Sequence, residues 1–372
     1  MMKIMINNMN SYTGDGSYAE VVYASKIYDY FYSYKSDLRY SDDLYPGVVI
    51  KSDFYSHFKN IRNRLIQESI KGILLYKQEH ILSKFFSYLP KYNSLNDAPI
   101  FHYLNPSITP FYNINGVVTI HDTFCLDLKS NNETIKKTDI YCKLTVKNFS
   151  IFRNFKNIIV PSNFTKKRLI YHGFNENNIT VIHHAVNPIY HPIRNKERIR
   201  ESLGLPKDKK LILSVSSLAP RKRPDIIKEI SYNLPSDYLL VRVGEKLGKS
   251  VNFMNVNDQM MNSIYNACDL LLFPTENEGF GLPIIEAFAT ELPVVTSNIE
   301  IMNEVTKGAA ILCYNDAKSM LNGIKEALNS KEELIEKMRI ANKYYNIARF
   351  SWEMTKYYSK ISEENKSAEI EG

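Results

Sequence analysis

Short apolar runs alternate with amphipathic stretches along most of the first half of the chain. The runs KIMI, PIFHYL, GVVTIHD, NIIVPS and ITVIHHAVN have the length of buried strands. Residues 17–34 are predicted to form a helix, and 58–89 one or two amphipathic helices with apolar side chains at helical spacing. Strands that alternate with helices are typical of a parallel sheet. The pattern therefore predicts a first α/β domain over 1–188.

The second half repeats this alternation after the proline-marked stretch NPIYHPIRNKE, which predicts a linker. Strands are predicted in KLILSVSS, YLLVRVG, VNFMNV, DLLLFPT, PVVTS and AAILCY, with helical segments between them. The predicted fold class is therefore α/β, with two Rossmann-like doubly wound domains. The second domain is predicted over 189–345, followed by a terminal helix over 346–362 and a disordered polar tail over 363–372.

The charge of the chain is uneven. The net charge is +7, and residues 1–190 hold 22 Lys and Arg against 15 Asp and Glu. The stretch 129–168 is the most basic and interleaves its charges with aromatic residues. Two interpretations stay open: solvated helix faces over a core of aromatics, or a surface for an anionic partner such as a membrane. Nucleic acid is not an expected partner.

The cysteines and the absence of long apolar runs bear on location. Cys125, Cys142, Cys268 and Cys313 are not within three residues of one another, so neither a zinc knuckle nor a redox pair is predicted. Reduced structural thiols are expected. No run of eighteen apolar residues occurs, so no signal peptide or spanning helix is predicted. Both observations favour the cytoplasm, with possible peripheral contact at the inner face of the membrane.

The stretch FPTENEGFGLPIIEAFATELPVV carries the most specific chemistry. A loop with Gly279 and Gly281 follows a strand, and Pro283 suits the first turn of a helix. A glycine loop before a helix N-terminus forms an anion site. Glu278 and Glu286 flank this loop, and carboxylates accept hydrogen bonds from sugar hydroxyls. A nucleotide-sugar, with a diphosphate between hydroxylated rings, matches this combination.

These residues also resemble a known family. Glu278 and Glu286 match the E-x7-E motif of retaining glycosyltransferases with the GT-B fold, and EGFGLPIIEA is similar to glycosyltransferase family 4. SVSSLAPRKRPDIIKEI, VVTIHDTF, IIVPSNFTKKRLI and VNFMNVNDQMMNSIYNACDLLLFPT resemble other family segments and occur in the family order. The resemblance implies an acceptor-side domain, 1–188, facing a donor domain, 189–345, across a cleft. It also implies that the helix 346–362 crosses back to the first domain.

The resemblance assigns roles in the donor domain. Glu286 would bind the ribose hydroxyls, and Glu278 would bind the hydroxyls of the donor sugar. The backbone N–H groups around Phe280, Gly281 and Leu282 would line the diphosphate. Alternatively, Glu286 is a solvated helix residue without such a role.

Arg221 and Lys222 would neutralise the diphosphate as it leaves, according to the same resemblance. Many family members carry Arg where this chain has Ser217, so the two cations would share this role. The resemblance implies that neither a metal ion nor a cofactor is needed, since the nucleotide-sugar is itself a substrate. The acceptor would be a glycan or a lipid-linked sugar.

Candidate residues in the first domain carry open alternatives. His121 would lie near the transferred sugar, or it has a structural role in its loop. Asp122 is a second candidate for substrate contact, although neighbours on a strand point to opposite faces. Gly14 and Gly16 form part of a G-x-G-x-x-A pattern, which is compatible with a loop facing the cleft, a plain turn or a dinucleotide site.

Three functions are therefore compatible with the sequence. The first is a retaining, metal-independent glycosyltransferase. The second is a nucleotide-sugar or glycan-binding protein that keeps the fold without turnover, and the third is another nucleotide-dependent enzyme such as a dehydrogenase or epimerase. His183, His184 and His191 add a possible metal site, although histidines in a loop after a strand explain them equally.

Overall fold

Two units, each built on a parallel sheet, make up this computed structural model, which describes residues 4–7, 100–103, 106, 116–130 and 140–370. The described residues of the first unit lie within Met1–Pro161, Thr165–Ile182 and Ser351–Gly372. The second unit comprises Ser162–Phe164 and His183–Phe350. The predicted α/β fold class is confirmed. The helices predicted at 17–34 and 58–89, and the loop with Gly14 and Gly16, lie outside the described residues.

The sheet of the first unit contains five strands among the described residues, all parallel and in the order β1-β2-β3-β4-β5. They are β1 (Ile4–Asn7), β2 (Ile100–Tyr103), β3 (Gly116–Thr119), β4 (Asn157–Val160) and β5 (Ile179–Val181). Among the described residues, three α-helices lie between strands of this sheet along the chain: α1 (Phe124–Ser130), α2 (Ile140–Phe152) and α3 (Asn163–Tyr171). All four residues of β3 are buried, as expected for a strand of a parallel sheet covered on both faces.

Aromatic side chains fill the core of the first unit. Phe152 packs edge-on against Phe155 with 4.9 Å between ring centroids, and Tyr103 of β2 packs against both. The aromatics in the basic stretch 129–168 therefore include core residues, as the first interpretation of that stretch proposed. The lysines between them at 143 and 147 are exposed on α2.

The last helix, α11 (Ile347–Ile370), is longer than the sequence predicted. The stretch predicted to be a disordered tail from 363 is helical as far as Ile370, because its Glu, Lys and Ala residues are good helix formers. From Ser351 onward the helix belongs to the first unit. There the Tyr358 hydroxyl lies 2.5 Å from Nδ1 of His102, whose Nε2 lies 2.7 Å from the Thr119 hydroxyl.

A disulfide joins Cys125 in α1 to Cys142 in α2, across a sequence separation of 17 residues. The prediction that all four cysteines are reduced thiols is therefore wrong for this pair. The spacing rule failed because it considers only neighbours in sequence, whereas packing of two helices brings these side chains together. Cys268 and Cys313 are buried thiols. Since disulfides persist in oxidising surroundings, the cysteines no longer argue for a reducing compartment.

The sheet of the second unit contains six strands in the order β11-β10-β9-β6-β7-β8, all parallel. They are β6 (Lys210–Val215), β7 (Tyr238–Val243), β8 (Ser250–Phe253), β9 (Leu270–Phe273), β10 (Val294–Ser297) and β11 (Ile311–Cys313). The chain order reverses between β6 and β9. In doubly wound sheets, ligands bind beyond the carboxyl ends of the strands at this kind of reversal.

The second unit contains seven α-helices that lie before, between or after these strands along the chain. They are α4 (Lys196–Ser202), α5 (Pro224–Asn233), α6 (Asp258–Ala267), α7 (Leu282–Ala289), α8 (Glu300–Thr306), α9 (Ala317–Asn329) and α10 (Lys331–Asn342). Side-chain caps fix the starts of three of them: Asn195 accepts from Arg198 N at 3.1 Å, Asn257 from Met260 N at 2.8 Å and Asp316 from Ser319 N at 2.7 Å. Met320 and Ile324 of α9 then face the sheet in the core.

Candidate functional site

Three of the predicted site residues meet at the reversal of strand order in the second unit. Arg221 and Lys222 lie in the 3-10 turn Pro220–Lys222 after β6, and Glu278 lies in the loop after β9. Lys222 Nζ donates to Glu278 Oε1, and Arg221 Nη1 lies 3.3 Å from Glu278 Oε2. Glu278 is 8% exposed, so its charge is largely removed from water and is balanced by the two cations.

Hydrogen bonds to backbone carbonyls fasten the two loops to each other. Glu276 N donates to the Arg221 carbonyl at 2.8 Å, and Arg221 Nη1 donates to the Asn277 carbonyl at 3.0 Å. The Thr275 hydroxyl lies 3.1 Å from the Arg221 carbonyl and 3.4 Å from Glu278 Oε1. The cluster is therefore held by the main chain as well as by side-chain charge. Thr275 is a site residue that the sequence analysis missed.

The loop that follows Glu278, residues 279–282, is called the glycine loop below. Gly281 has φ 99° and ψ 57°, in the left-handed region, and a Cβ at this position would lie 3.2 Å from Met302 Cε. Glycine therefore meets both the backbone and the space requirement here. Helix α7 begins at Leu282 with Pro283 in its first turn, as predicted. A helix N-terminus carries partial positive charge that favours an anion.

Glu286 lies within α7 and is 3% exposed. The alternative that it is a solvated helix residue is therefore wrong. Its Oε2 accepts a hydrogen bond from the Tyr265 hydroxyl at 2.8 Å, and the Tyr265 ring packs edge-on against Tyr190 at 5.7 Å. A buried carboxylate needs such a donor, since an unsatisfied one is costly. The sequence analysis noted that the segment containing Tyr265 resembles a family segment, but it did not predict a role for Tyr265 itself.

Arg242 of β7 supports the same end of the sheet. It is fully buried, with Nη1 3.0 Å from the Ser214 hydroxyl and Nη2 2.5 Å from the Ser216 carbonyl, while Nε donates to the Glu245 carbonyl at 3.0 Å. Burial lowers the pKa of its guanidinium, and the charge of Glu245 opposes that effect. Arg242 thus fixes the backbone at the end of β6, from which the loop with Arg221 and Lys222 departs.

His121 and Asp122 lie in the first unit, after β3 has ended at Thr119. The argument that strand neighbours point to opposite faces is therefore wrong for this pair. Asp122 Oδ1 accepts from Phe124 N at 3.0 Å, which is an Asx turn leading into α1. His121 is partly buried. The second unit thus gathers Arg221, Lys222 and Glu278, whereas His121 and Asp122 belong to another part of the fold.

A buried ionic network follows this loop in the first unit. Asp127 Oδ1 accepts from Arg168 Nη2 at 2.5 Å and lies 2.7 Å from His172 Nε2, and Oδ2 accepts from the Thr123 hydroxyl at 2.8 Å. Burial alone would raise the pKa of Asp127, but the hydrogen bonds and the charge of Arg168 outweigh it, so the pKa is lowered. The network fixes α1, and with it the loop of His121, to α3.

The histidines after β5 do not form a metal site with their neighbours. His183 Nε2 lies 2.9 Å from Glu304 Oε1, and the His184 ring packs edge-on against Phe280 at 5.1 Å. In the part of the chain that the structure describes, no three His, Cys, Asp or Glu side chains gather where they could hold a metal ion. Among the same residues, no helix has the length and apolar character needed to span a bilayer.

Comparison with protein families finds a match within the second unit. Residues 195–345 match the family model described as glycosyl transferases group 1. The D-inositol 3-phosphate glycosyltransferase of Mycolicibacterium smegmatis is 27% identical over an alignment of 222 residues, and the match covers 53% of this chain and 50% of that enzyme. The enzyme of the same name from Mycobacterium tuberculosis is 28% identical over 148 residues, 34% of this chain and 31% of its own length. This chain therefore spans half or less of the curated relatives it matches.

Solved structures share the fold at low sequence identity. Sucrose-phosphate synthase from Thermosynechococcus elongatus superposes with a TM-score of 0.63 at 17% identity, covering 79% of this chain and 80% of that one. HepE from Anabaena in complex with UDP-glucose gives 0.60 at 15%, covering 70% and 78%. WaaG, a glycosyltransferase involved in lipopolysaccharide biosynthesis, gives 0.56 at 19%, covering 67% and 74%. The fold is that of the GT-B glycosyltransferases, and together with the family match it supports a GT-B glycosyltransferase.

Proposed function

We propose that this chain is a retaining glycosyltransferase, similar to family 4, that moves a sugar from a nucleotide-sugar to a hydroxyl of a glycan or a lipid-linked acceptor. The observation that carries the proposal is the cluster of Arg221, Lys222 and Glu278 just before the N-terminus of α7. Cations and a helix N-terminus attract a diphosphate, whereas Glu278 and the buried Glu286 attract hydroxyl groups. A nucleotide-sugar carries both kinds of group.

The position of the cluster supports the same ligand. It lies beyond the carboxyl ends of β6 and β9, where the strand order reverses and doubly wound sheets bind nucleotides. The relatives named as D-inositol 3-phosphate glycosyltransferases and the HepE complex with UDP-glucose agree with this assignment. In the E-x7-E assignment, Glu286 receives the ribose hydroxyls, with Tyr265 holding one of its oxygens in place, and Glu278 receives the hydroxyls of the sugar.

The proposed reaction breaks the bond between the sugar C1 and the diphosphate oxygen and forms a bond between C1 and the acceptor oxygen. The acceptor proton passes to the departing phosphate oxygen, so that attack occurs from the face that the leaving group vacates. Arg221 and Lys222 stabilise the negative charge that grows on the nucleoside diphosphate. We nominate no side chain as a nucleophile, and His121 is a candidate for contact with the transferred sugar. The proposal needs neither a metal ion nor a cofactor.

We also infer where the enzyme acts. Exposed basic residues of the first unit, including Lys143 and Lys147 on α2 and Arg153 and Lys156 after it, suit loose attachment to an anionic membrane. A lipid-linked acceptor would be presented at such a surface, on the cytoplasmic side where nucleotide-sugars are available. A soluble glycan acceptor is the alternative.

The proposed function is tested with the full chain and a panel of nucleotide-sugars. Binding raises the melting temperature by mass action, and turnover releases a nucleoside diphosphate. Glu278→Gln should mainly lower turnover, about ten- to a hundredfold, because a carboxylate near C1 stabilises positive charge that develops in the transition state. Lys222→Ala should weaken both donor binding and turnover. Lys228→Ala, an exposed lysine of α5, is the matched control and should change neither.

The outcomes separate the alternatives. Donor binding without turnover, with or without acceptor, would indicate a binding protein that keeps the fold. Binding of a nicotinamide cofactor in place of a nucleotide-sugar would indicate another nucleotide-dependent enzyme. If both Glu278→Gln and Glu286→Gln keep wild-type kinetic constants, the E-x7-E assignment is wrong.

A further inference from the structure

Three residues of helix α8 in the second unit link it to the glycine loop, one directly and two through other segments. Met302 packs against Gly281. A Cβ added to Gly281 would lie 3.2 Å from Met302 Cε. Glu304 and Val305 bind segments that in turn contact the loop. No residue of this helix was among the predicted site residues. Its repeated link to 279–282 is therefore a relationship that only the fold reveals.

Glu304 makes most of the hydrogen bonds that form these links. Its Oε1 accepts from Asn163 N at 2.7 Å and from Asn163 Nδ2 at 3.0 Å, and its Oε2 accepts from Phe164 N at 3.0 Å. His183 Nε2 lies 2.9 Å from Oε1. Burial opposes ionisation of Glu304, but these hydrogen bonds outweigh it and lower the pKa of the carboxyl to about 2. An ionised carboxylate only accepts hydrogen bonds, so all these groups act as donors.

The segment that Glu304 holds is bonded directly to the glycine loop. Ser162 precedes Asn163, and its buried hydroxyl donates to the Gly279 carbonyl at 2.8 Å. The backbone N–H groups of 163 and 164 thus fix the position from which Ser162 reaches the loop. Because a carbonyl and the following N–H share one rigid peptide unit, fixing Gly279 O also orients the N–H of Phe280.

A second path reaches the same loop through aromatic packing. The Tyr345 hydroxyl donates to the Val305 carbonyl at 2.7 Å, and the Tyr345 ring packs edge-on against Phe280 at 5.7 Å. The ring of His183, which Glu304 holds, lies 6.1 Å from that of Phe280. Phe280 is 4% exposed, so its side chain is clamped by these rings. Its backbone is thereby fixed at the residue whose N–H is proposed to face the diphosphate.

We propose that Glu304 is a positioning residue that holds the glycine loop in the orientation required to bind the diphosphate of the donor. This inference rests on the proposed function, since it assigns the loop to the diphosphate. Glu304 itself touches neither reacting group. Its effect on donor binding passes through Ser162 and through the ring of His183. Backbone N–H donors that are preorganised bind an anion more tightly than donors that become ordered only on binding.

The test uses Glu304→Gln, which keeps the side-chain shape but replaces one accepting oxygen with an NH2 group. Amide hydrogen exchange of the unliganded protein should become about tenfold faster in residues 279–282. The KM for the nucleotide-sugar should rise about tenfold with kcat changed less than threefold, the scale of one lost hydrogen bond to a charged group. Glu300→Gln, on the exposed side of the same helix, is the matched control and should change neither.

A merely structural role would give a different result. It would reduce the fraction of folded enzyme, lowering apparent kcat while KM stays constant. Ser162→Ala provides a second variant if Glu304→Gln does not fold, because it removes the hydroxyl that donates to Gly279 and should reproduce the faster exchange at 279–282. Unchanged exchange there in both variants overturns the proposal.

The two proposals fail separately. Faster exchange at 279–282, in a chain that turns over no nucleotide-sugar, supports the positioning link and refutes the proposed function. Turnover by the wild type together with an unchanged KM in Glu304→Gln supports the function and refutes the positioning role.

Discussion

The Tyr265 hydroxyl donates a hydrogen bond to Oε2 of Glu286 at 2.8 Å, joining α6 to α7 in the buried interior of the second unit. This bond fixes the orientation of the Glu286 carboxylate within the second unit. A residue proposed to hold ribose therefore has its own positioning partner.

Tyr265→Phe removes that hydroxyl while keeping the ring. We expect the KM for the donor to rise about tenfold with little change in kcat, because the ribose is held equally in the ground and transition states. Steady-state kinetics against donor concentration measures both constants. Tyr190→Phe is the matched control, since its ring packs on Tyr265 but its hydroxyl lies 3.3 Å from Asp258. A kcat loss with constant KM would contradict the ribose assignment of Glu286.

Metal chelation provides an independent test of the mechanism. Arg221 and Lys222 are proposed to supply the charge that a divalent ion supplies in other transferases. Turnover should therefore be unchanged in excess EDTA. A loss of activity that Mn²⁺ or Mg²⁺ restores would refute this part of the proposal, while the same loss without recovery would indicate an effect of the chelator itself.

The disulfide between Cys125 and Cys142 predicts a dependence on reductant. A bridge that closes a loop of this length stabilises a fold by about 3 kcal/mol, so dithiothreitol should lower the melting temperature of the wild type. The double variant Cys125→Ala/Cys142→Ala should start at the lower temperature and show no shift with dithiothreitol. Since it retains Cys268 and Cys313, an equal shift in both proteins would assign the effect to those thiols.

The network around Asp127 predicts how the stability of the first unit depends on pH. The folded-state pKa of Asp127 is lowered, so its stabilising contribution is complete above the unfolded pKa, about 3.9, and is lost as the pH falls through the folded value. Asp127→Asn should lower the free energy of unfolding near pH 7 by about 3 kcal/mol and flatten its fall below pH 4.

Urea unfolding at several pH values measures this dependence. Glu176→Gln is the control, because Glu176 is an exposed carboxylate of the same unit whose ion pair with Lys166 contributes little. If the free energy of unfolding falls as steeply below pH 4 in Asp127→Asn as in the wild type, other carboxylates cause the fall.

Vesicle binding tests the proposed membrane contact. Co-sedimentation with anionic vesicles should occur at low salt, fade at high salt and be absent with neutral vesicles, since each basic residue near the surface contributes about 1 kcal/mol. Lys143→Glu/Lys147→Glu should weaken it about a hundredfold or more. The control pair Lys228→Glu/Lys318→Glu reverses two exposed charges of the second unit and should leave binding unchanged. Equal binding to neutral vesicles would refute the proposal.

The sequence was informative about whatever depends on neighbouring residues. Apolar runs of strand length predicted the parallel sheets, because buried strands need apolar residues. Glycine and proline around Gly281 predicted the start of α7, because their backbone preferences are local. The pairing of Lys222 with Glu278 joins positions 56 apart, and that of Ser162 with Gly279 joins positions 117 apart. Contacts of this kind depend on how helices and strands pack, so neither spacing nor composition could reveal them.

The same limit explains the errors. Cys125 and Cys142 meet only because α1 packs against α2. Asp122 lies in the turn before α1 and not in a strand, because β3 ends three residues earlier than its apolar run suggested. Glu304 gave no signal at all, since one carboxylate on an amphipathic helix is ordinary.

The contact between His102 and Tyr358 spans 256 positions and lies within the first unit. During synthesis the ribosome releases His102 long before Tyr358, so the first unit cannot be completed until Tyr358 has emerged. Apart from Ser162–Phe164, the second unit is a continuous segment that ends at Phe350. Of the two units, the one that begins to emerge first is therefore the one completed second, which reverses the usual order in which domains complete their folding.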